Sequence, residues 1–173
     1  GASASKKVLS VPTVYAAYCC WSGAVRAIVR YVRGAWVAEK SIIIAAFGYC
    51  PSSWDKCGRS TQQVQDVLAA YGIASTYVSG ASWFSTVQSN IKNNQPMYAR
   101  WASGSTGHAL VITGYEVTSA GKKYVYYMDP AKGAKRLEYS IFKHTNAANS
   151  NQNGGWTCYS WIWTHTLKNL RLR

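Results

Sequence analysis

The chain has 173 residues, 48% of them hydrophobic and only 14% charged, with eight Trp and thirteen Tyr. That is enough apolar and aromatic surface for one self-sufficient core, which excludes a largely disordered chain and leaves no room for two ordinary domains. Nineteen Lys and Arg against six Asp and Glu give a formal charge of +13. This draws the protein toward anionic polymers or surfaces, but with no accompanying nucleic-acid motif it predicts no specific nucleic-acid partner.

The N-terminal Gly1-Ala2-Ser3-Ala4-Ser5 reads as a processed end. From Cys20 to Arg33, Trp21, Ala24, Val25, Ile28, Val29 and Val32 recur at three- and four-residue intervals with Arg26, Arg30 and Arg33 turned elsewhere, the period of an amphipathic helix that Gly34 ends. A second helix is predicted over Val37 to Phe47. It carries the longest apolar run, Ser41 to Phe47, far shorter than a membrane span. Ser60 or Thr61 can cap a third helix that runs to Tyr71 and stops at Gly72, and a fourth is predicted from Ser82 to Lys92.

From Pro96 the pattern changes to strands: Met97 to Trp101, Ala109 to Tyr115, Tyr124 to Met128, Arg136 to Tyr139 and Trp156 to Trp163. The polar stretch Thr145 to Gly155 reads as one exposed loop. Helices first and an antiparallel sheet second predict an α+β fold. Residues 1–173 form a single domain in this reading, a helical half over about 8–95 packed on a β half over about 96–173. A monomer is expected.

Five cysteines are an odd number, which in an oxidising compartment leaves one thiol over. With Cys20 as the free thiol, the other four allow three pairings, of which Cys50 with Cys57 and Cys19 with Cys158 is favoured because Cys50 and Cys57 flank a short loop. Zinc is disfavoured by the absence of paired Cys and His ligand spacings, and calcium by the absence of an acidic loop, so no metal or cofactor is expected.

Three residues stand out for chemistry. The strands around Ala109–Tyr115 and Tyr124–Met128 flank the turn-prone Thr118-Ser119-Ala120-Gly121, so they should pair as a hairpin with His108 and Asp129 side by side at its open end. A carboxylate beside an imidazole fixes its tautomer and stabilises the imidazolium. Cys20 falls in the first turn of the first helix, where free backbone N–H groups and the macrodipole favour a thiolate. His144 and His165 read as exposed and non-catalytic. Trp101, Trp156, Trp161 and Trp163 read as core, with one of them available to shelter the His108–Asp129 pair.

The run Cys20-Trp21-Ser22-Gly23-Ala24, then Gly107-His108 followed by Ala109 to Gly114-Tyr115, then Asp129-Pro130, resembles the bacterial papain-like cysteine peptidases related to the bacteriocin-leader peptidases. The resemblance covers about Val8 to Asp129. It implies a papain-like fold with Cys20 as nucleophile, His108 as general base and then acid, and Asp129 as the residue that orients the base. One feature departs from the family: the Gln that usually precedes the cysteine and binds the oxyanion is missing from Val11 to Tyr18. This leaves the Cys20 N–H as one donor and a Tyr15 or Tyr18 hydroxyl, or a group from elsewhere, as the second.

The implied function is hydrolysis of peptide bonds through an acyl-enzyme by a secreted thiol protease acting on a peptide or protein. Two alternatives stand beside it: transglutaminase-like acyl transfer to an amine, and a catalytically silent binding or toxin domain on the same fold.

Overall fold

The computed structural model describes residues 3–49, 57–146 and 153–173. The first helix, α1 (Cys20–Arg33), buries Trp21, Ala24, Val25, Ile28 and Val29 and ends at Gly34, whose left-handed φ of 75° lets its N–H reach Arg30 O at 2.9 Å. Helix α2 (Glu39–Phe47) buries only Ile42 and Ile43, and Ile44 is exposed, so the apolar run is half-covered. Helix α3 (Thr61–Ala70) starts with a capping box: Ser60 Oγ accepts from Gln63 N at 3.1 Å and Gln63 Oε1 accepts from Ser60 N at 2.8 Å. Helices α4 (Phe84–Lys92) and the short α5 (Tyr139–Lys143) complete the helical set among the described residues.

The strands are β1 (Ser5–Val8), β2 (Ile73–Val78), β3 (Met97–Ser103), β4 (Thr106–Val117), β5 (Lys123–Asp129), β6 (Gly133–Glu138) and β7 (Ile162–Leu172). They form one antiparallel sheet in the order β2-β7-β3-β4-β5-β6, with β1 paired to the far part of β4. The α+β architecture is as expected, but two strands from the N-terminal half, β1 and β2, join the sheet. The expected strand from Trp156 to Trp163 is displaced: pairing starts at Ile162 and continues through the basic residues Lys168 and Arg171.

Alternation along the strands splits the core in two. Tyr98, Ala109, Val111, Met128 and Leu167 face α1, α2 and α3. Met97, Ala99, Trp101, Leu110, Ile112, Val125 and Tyr127 face the other way, against Phe84, Phe142, Trp161 and Trp163. The ends of the polar loop are not exposed as expected. Thr145 is fully buried and exchanges hydrogen bonds with the Trp161 backbone, and Asn153 is fully buried and donates to Trp156 O. The middle of that loop lies outside the described residues.

The disulfide expectation is corrected. Cys19 is bonded to Cys57, and Cys158 is an exposed free thiol, so neither the Cys19–Cys158 nor the Cys50–Cys57 pairing forms; Cys50 itself lies outside the described residues. The bridge ties the segment leading into α1 to the segment leading into α3, a long-range closure that a preference for short loops overlooks.

Candidate active site

Cys20 is the first residue of α1. The segment before it is held by Glu39, at the start of α2: its carboxylate accepts from Ala17 N (3.1 Å), Tyr18 N (3.2 Å), Cys19 N (3.4 Å) and Ser22 Oγ (2.6 Å). Gly23, one turn further along, allows α1 to approach that segment and the residue after Asp129. A Cβ there would lie 3.0 Å from Ala16 Cβ and 3.1 Å from Pro130 Cβ, and Ala16 N donates to Pro130 O at 3.0 Å. Helix α1 and the end of β5 are therefore locked together through one small residue.

The hairpin register pairs Val111 with Met128, so Asp129 approaches His108 diagonally across the ladder rather than directly opposite it. Both side chains leave the sheet on the aromatic face. His108 Nε2 donates to Asp129 Oδ1 at 2.6 Å; His108 is 6% exposed and Asp129 0%. Asp129 is fully engaged, since Oδ1 also accepts from Ala131 N and Oδ2 from Trp156 Nε1, each at 2.8 Å. The Trp156 ring lies edge-on to His108 at 4.7 Å between centroids, with Trp161 behind it at 5.6 Å. Trp156 is thus the sheltering tryptophan, while Trp101, Trp161 and Trp163 are core.

The other side of the imidazole meets Cys20. Cys20 and His108 line one cavity, and His108 together with the backbone amides of Ala109 and Trp21 favours the anionic form of the sulfur. Burial pushes the thiol up, but the His108 hydrogen bond and charge, with the two amides, outweigh it and hold Cys20 below its ordinary value. Burial opposes the imidazolium, yet the hydrogen bonds to Asp129 and Cys20 and the charges of both raise His108 to about 9. Asp129 is likewise disfavoured as an anion by burial, and is held below the usual carboxylate range by His108, Trp156 and Ala131. All three shifts run in the direction that favours a thiolate beside an imidazolium and a buried carboxylate.

Beside the thiol, a cavity of about 530 Å³ runs from Cys20 and His108 past Tyr98 and Arg100 to Arg59 and His165. His165 is a wall of this cleft, half-buried, rather than an exposed residue, whereas His144 is exposed as expected. No signal in a single strand marks Arg100 or His165, because strands β3 and β7 meet only in the folded sheet. Of the expected oxyanion donors, the Tyr15 hydroxyl sits over the turn between β5 and β6, 2.7 Å from where a Gly133 Cβ would be. Val14 is buried in the helical-side core.

Residues 15–157 match the family described as Peptidase_C39-like. The chain belongs to the Peptidase_C39-like family. No curated protein matches it by sequence. Among solved structures it is similar to the peptidase domain of Streptococcus ComA, a bifunctional ABC transporter involved in quorum sensing, with a TM-score of 0.61 and 12% identity over 96% of this chain and 98% of that one. It is also similar to a double-glycine-motif protease from an AMS/PCAT transporter, solved with a leader peptide, with a TM-score of 0.54 and 18% identity over 91% and 93%. UfSP from C. elegans has a TM-score of 0.52 and 13% identity over 98% of this chain and 34% of that one. Family and fold together are those of a papain-like cysteine peptidase. No helix among the described residues is long and apolar enough to cross a membrane, and no cluster of three His, Cys, Asp or Glu among them is placed to hold a metal.

Proposed function

We propose that this Peptidase_C39-like protein hydrolyses peptide bonds with Cys20 as nucleophile, His108 as proton carrier and Asp129 as the orienting carboxylate. The observation that carries the reading is the buried His108 imidazole, bonded to Asp129 at 2.6 Å and lining the same cavity as Cys20, whose thiol it holds below its ordinary value. The Cys20 thiolate attacks the carbonyl carbon, forming a C–S bond as the carbonyl π electrons move to oxygen. Collapse of that intermediate breaks the C–N bond while the His108 imidazolium, through Nδ1, protonates the leaving amine. Neutral His108 then takes a proton from water, which attacks the thioester, releases the acid and restores the ion pair.

The Cys20 N–H at the first turn of α1 supplies one oxyanion donor, aided by the helix dipole. A peptide substrate is supported by the leader peptide bound to one structural neighbour. An oxidising, extracellular setting is supported by the Cys19–Cys57 disulfide.

The test is alkylation by an epoxide peptidase inhibitor, located by peptide mapping, in the native protein and in His108→Ala. Rapid labelling confined to Cys20 that collapses in the variant is expected. Slow labelling of both would replace the peptidase reading with a catalytically silent domain.

A further inference from the structure

The cavity beside the thiol carries a charge that hydrolysis does not need. Arg100, on β3, lays its guanidinium over Gly107, the residue before His108: a Cβ at Gly107 would stand 2.9 Å from Arg100 Nη2 and 3.0 Å from Nε. Its one side-chain hydrogen bond is from Nη1 to Thr164 Oγ1 at 3.0 Å, a neutral acceptor. Arg59, on the opposite wall, donates to Ala46 O at 3.0 Å and stacks on Phe47 at 3.6 Å. The ion pairs among the described residues are His108–Asp129, Lys122–Glu138 and Arg136–Glu116, so neither guanidinium is paired with a carboxylate among the described residues. No acidic residue lines the cavity among the described residues.

Two further features give the cavity the same sign. Ser60, Thr61 and Gln62 edge it, so the N-terminal end of α3, the positive end of its dipole, opens onto it. Burial and then the charge of Arg100 hold His165 below its ordinary value, which marks a positive potential at the cavity's far end. Tyr77 and Tyr98 supply flat apolar walls between these groups. A half-covered guanidinium with donors to spare, beside the catalytic imidazole, is built to receive a planar carboxylate.

We propose that this cavity is a subsite for a carboxylate of the substrate, borne by a residue close to the scissile bond, with Arg100 as the residue that determines this specificity. The inference rests on the peptidase reading for its substrate, a peptide, and deepens it to an acidic peptide. The carboxylate comes either from a Glu or Asp side chain or from a free C-terminus, and the experiment separates the two.

Pools of N-acetylated hexapeptides carrying Glu, Gln or Lys at each position in turn, made both C-amidated and as free acids, are digested and the products identified by mass spectrometry. Amidated Glu peptides should be cleaved at least about 10-fold faster than their Gln counterparts at one position near the bond. A preference seen only in the free acids assigns the subsite to a terminal carboxylate. In Arg100→Gln the Glu-to-Gln ratio should fall to near one, in Arg100→Lys it should persist in part, and in Lys6→Gln, an exposed charge on β1, it should be unchanged. Iodoacetamide labelling of Cys20 reports that each variant retains its site.

A native protein that favours neither Glu over Gln nor a free acid over its amide, or a preference that survives in Arg100→Gln or falls equally in Lys6→Gln, would overturn the proposal. If nothing is cleaved and Cys20 does not label, the peptidase reading has failed on its own. Fluorescence anisotropy of the same Glu and Gln peptides on Cys20→Ala then decides the subsite: tighter Glu binding that requires Arg100 upholds it, and equal binding removes it.

Discussion

Trp156 donates its indole N–H to Asp129 Oδ2 at 2.8 Å. The same side chain covers the edge of His108, so one residue both holds the carboxylate and keeps water from the imidazole. Trp156→Phe keeps a ring and loses the hydrogen bond to a charged group, and Trp156→Ala loses both. The expected fall in kcat/KM is about 10-fold for Phe and clearly greater for Ala. Steady-state cleavage of one peptide by the three proteins measures it, and equal activity of all three would show that Trp156 is only packing.

The pH profile should carry the signature of the ion pair. The active form needs Cys20 deprotonated and His108 protonated, so activity rises with pH through the lowered thiol value and falls as pH passes the raised imidazole value, about 9. In Asp129→Asn the negative charge that helps hold the proton on His108 is gone, so the alkaline limb should move down toward the ordinary imidazole range near 6.5. An Asn here also meets a conflict. With Oδ1 kept toward His108 and Ala131, Nδ2 faces the Trp156 N–H, donor against donor. Asp129→Asn with Trp156→Phe should therefore be more active than the product of the two single effects predicts, and a double-mutant cycle on kcat/KM would reveal the coupling.

The regular elements were legible where one physical signal dominated. The apolar period of α1, the cap of α3 at Ser60 and the β4–β5 hairpin all stand close to their expected places. The seventh strand was not legible because its alternation is broken. Thr76 pairs with Lys168 and Ala74 with Arg171, so two residues of β7 oppose one of β2, and Asn169 takes a φ of 57° there. Leu167 and Leu170 are consequently both buried although three apart, and the intervening charges read as a basic tail. Conversely, Trp156 to Trp161 has the composition of a strand but is drawn into packing around His108. Cys20, His108 and Asp129 were legible as a candidate set because each sits at or near the end of a regular element. Glu39, Arg100 and His165 act through partners 17 or more residues away, and local pattern carries no trace of that.

Glu39 is expected to behave as a positioning residue. Its carboxylate gathers three successive backbone N–H groups and the Ser22 hydroxyl just before and after the nucleophile. Removing it leaves those donors without their acceptor and the segment from Ala16 to Cys19 free to shift. Glu39→Ala should cost about 2 to 3 kcal/mol in urea unfolding and slow Cys20 alkylation. Glu39→Gln, which keeps one acceptor oxygen, should restore part of both. If Glu39→Ala were destabilised while Cys20 reacted at the native rate, the residue would be structural and nothing more.

The Cys19–Cys57 bridge makes opposite predictions for Cys57 and Cys158. It spans a sequence separation of 38 residues, and constraining the unfolded chain over that length stabilises the fold by about 3 to 4 kcal/mol in the loop-entropy account. Because Cys57 leads into Gly58, Arg59 and Ser60, which line the cleft, the bridge also positions the wall that faces Arg100. Cys57→Ser should therefore lower the unfolding midpoint and raise KM more than it lowers kcat, since the loosened segment is cleft wall and Asp129 holds His108 independently of it. Cys158→Ser should leave stability within about 0.5 kcal/mol of native, because Cys158 is exposed and unbridged. Non-reducing peptide mapping with urea titration of both variants distinguishes the pairings. A Cys158 variant destabilised as much as the Cys57 variant would restore the Cys19–Cys158 bridge and move the cleft wall's anchor elsewhere.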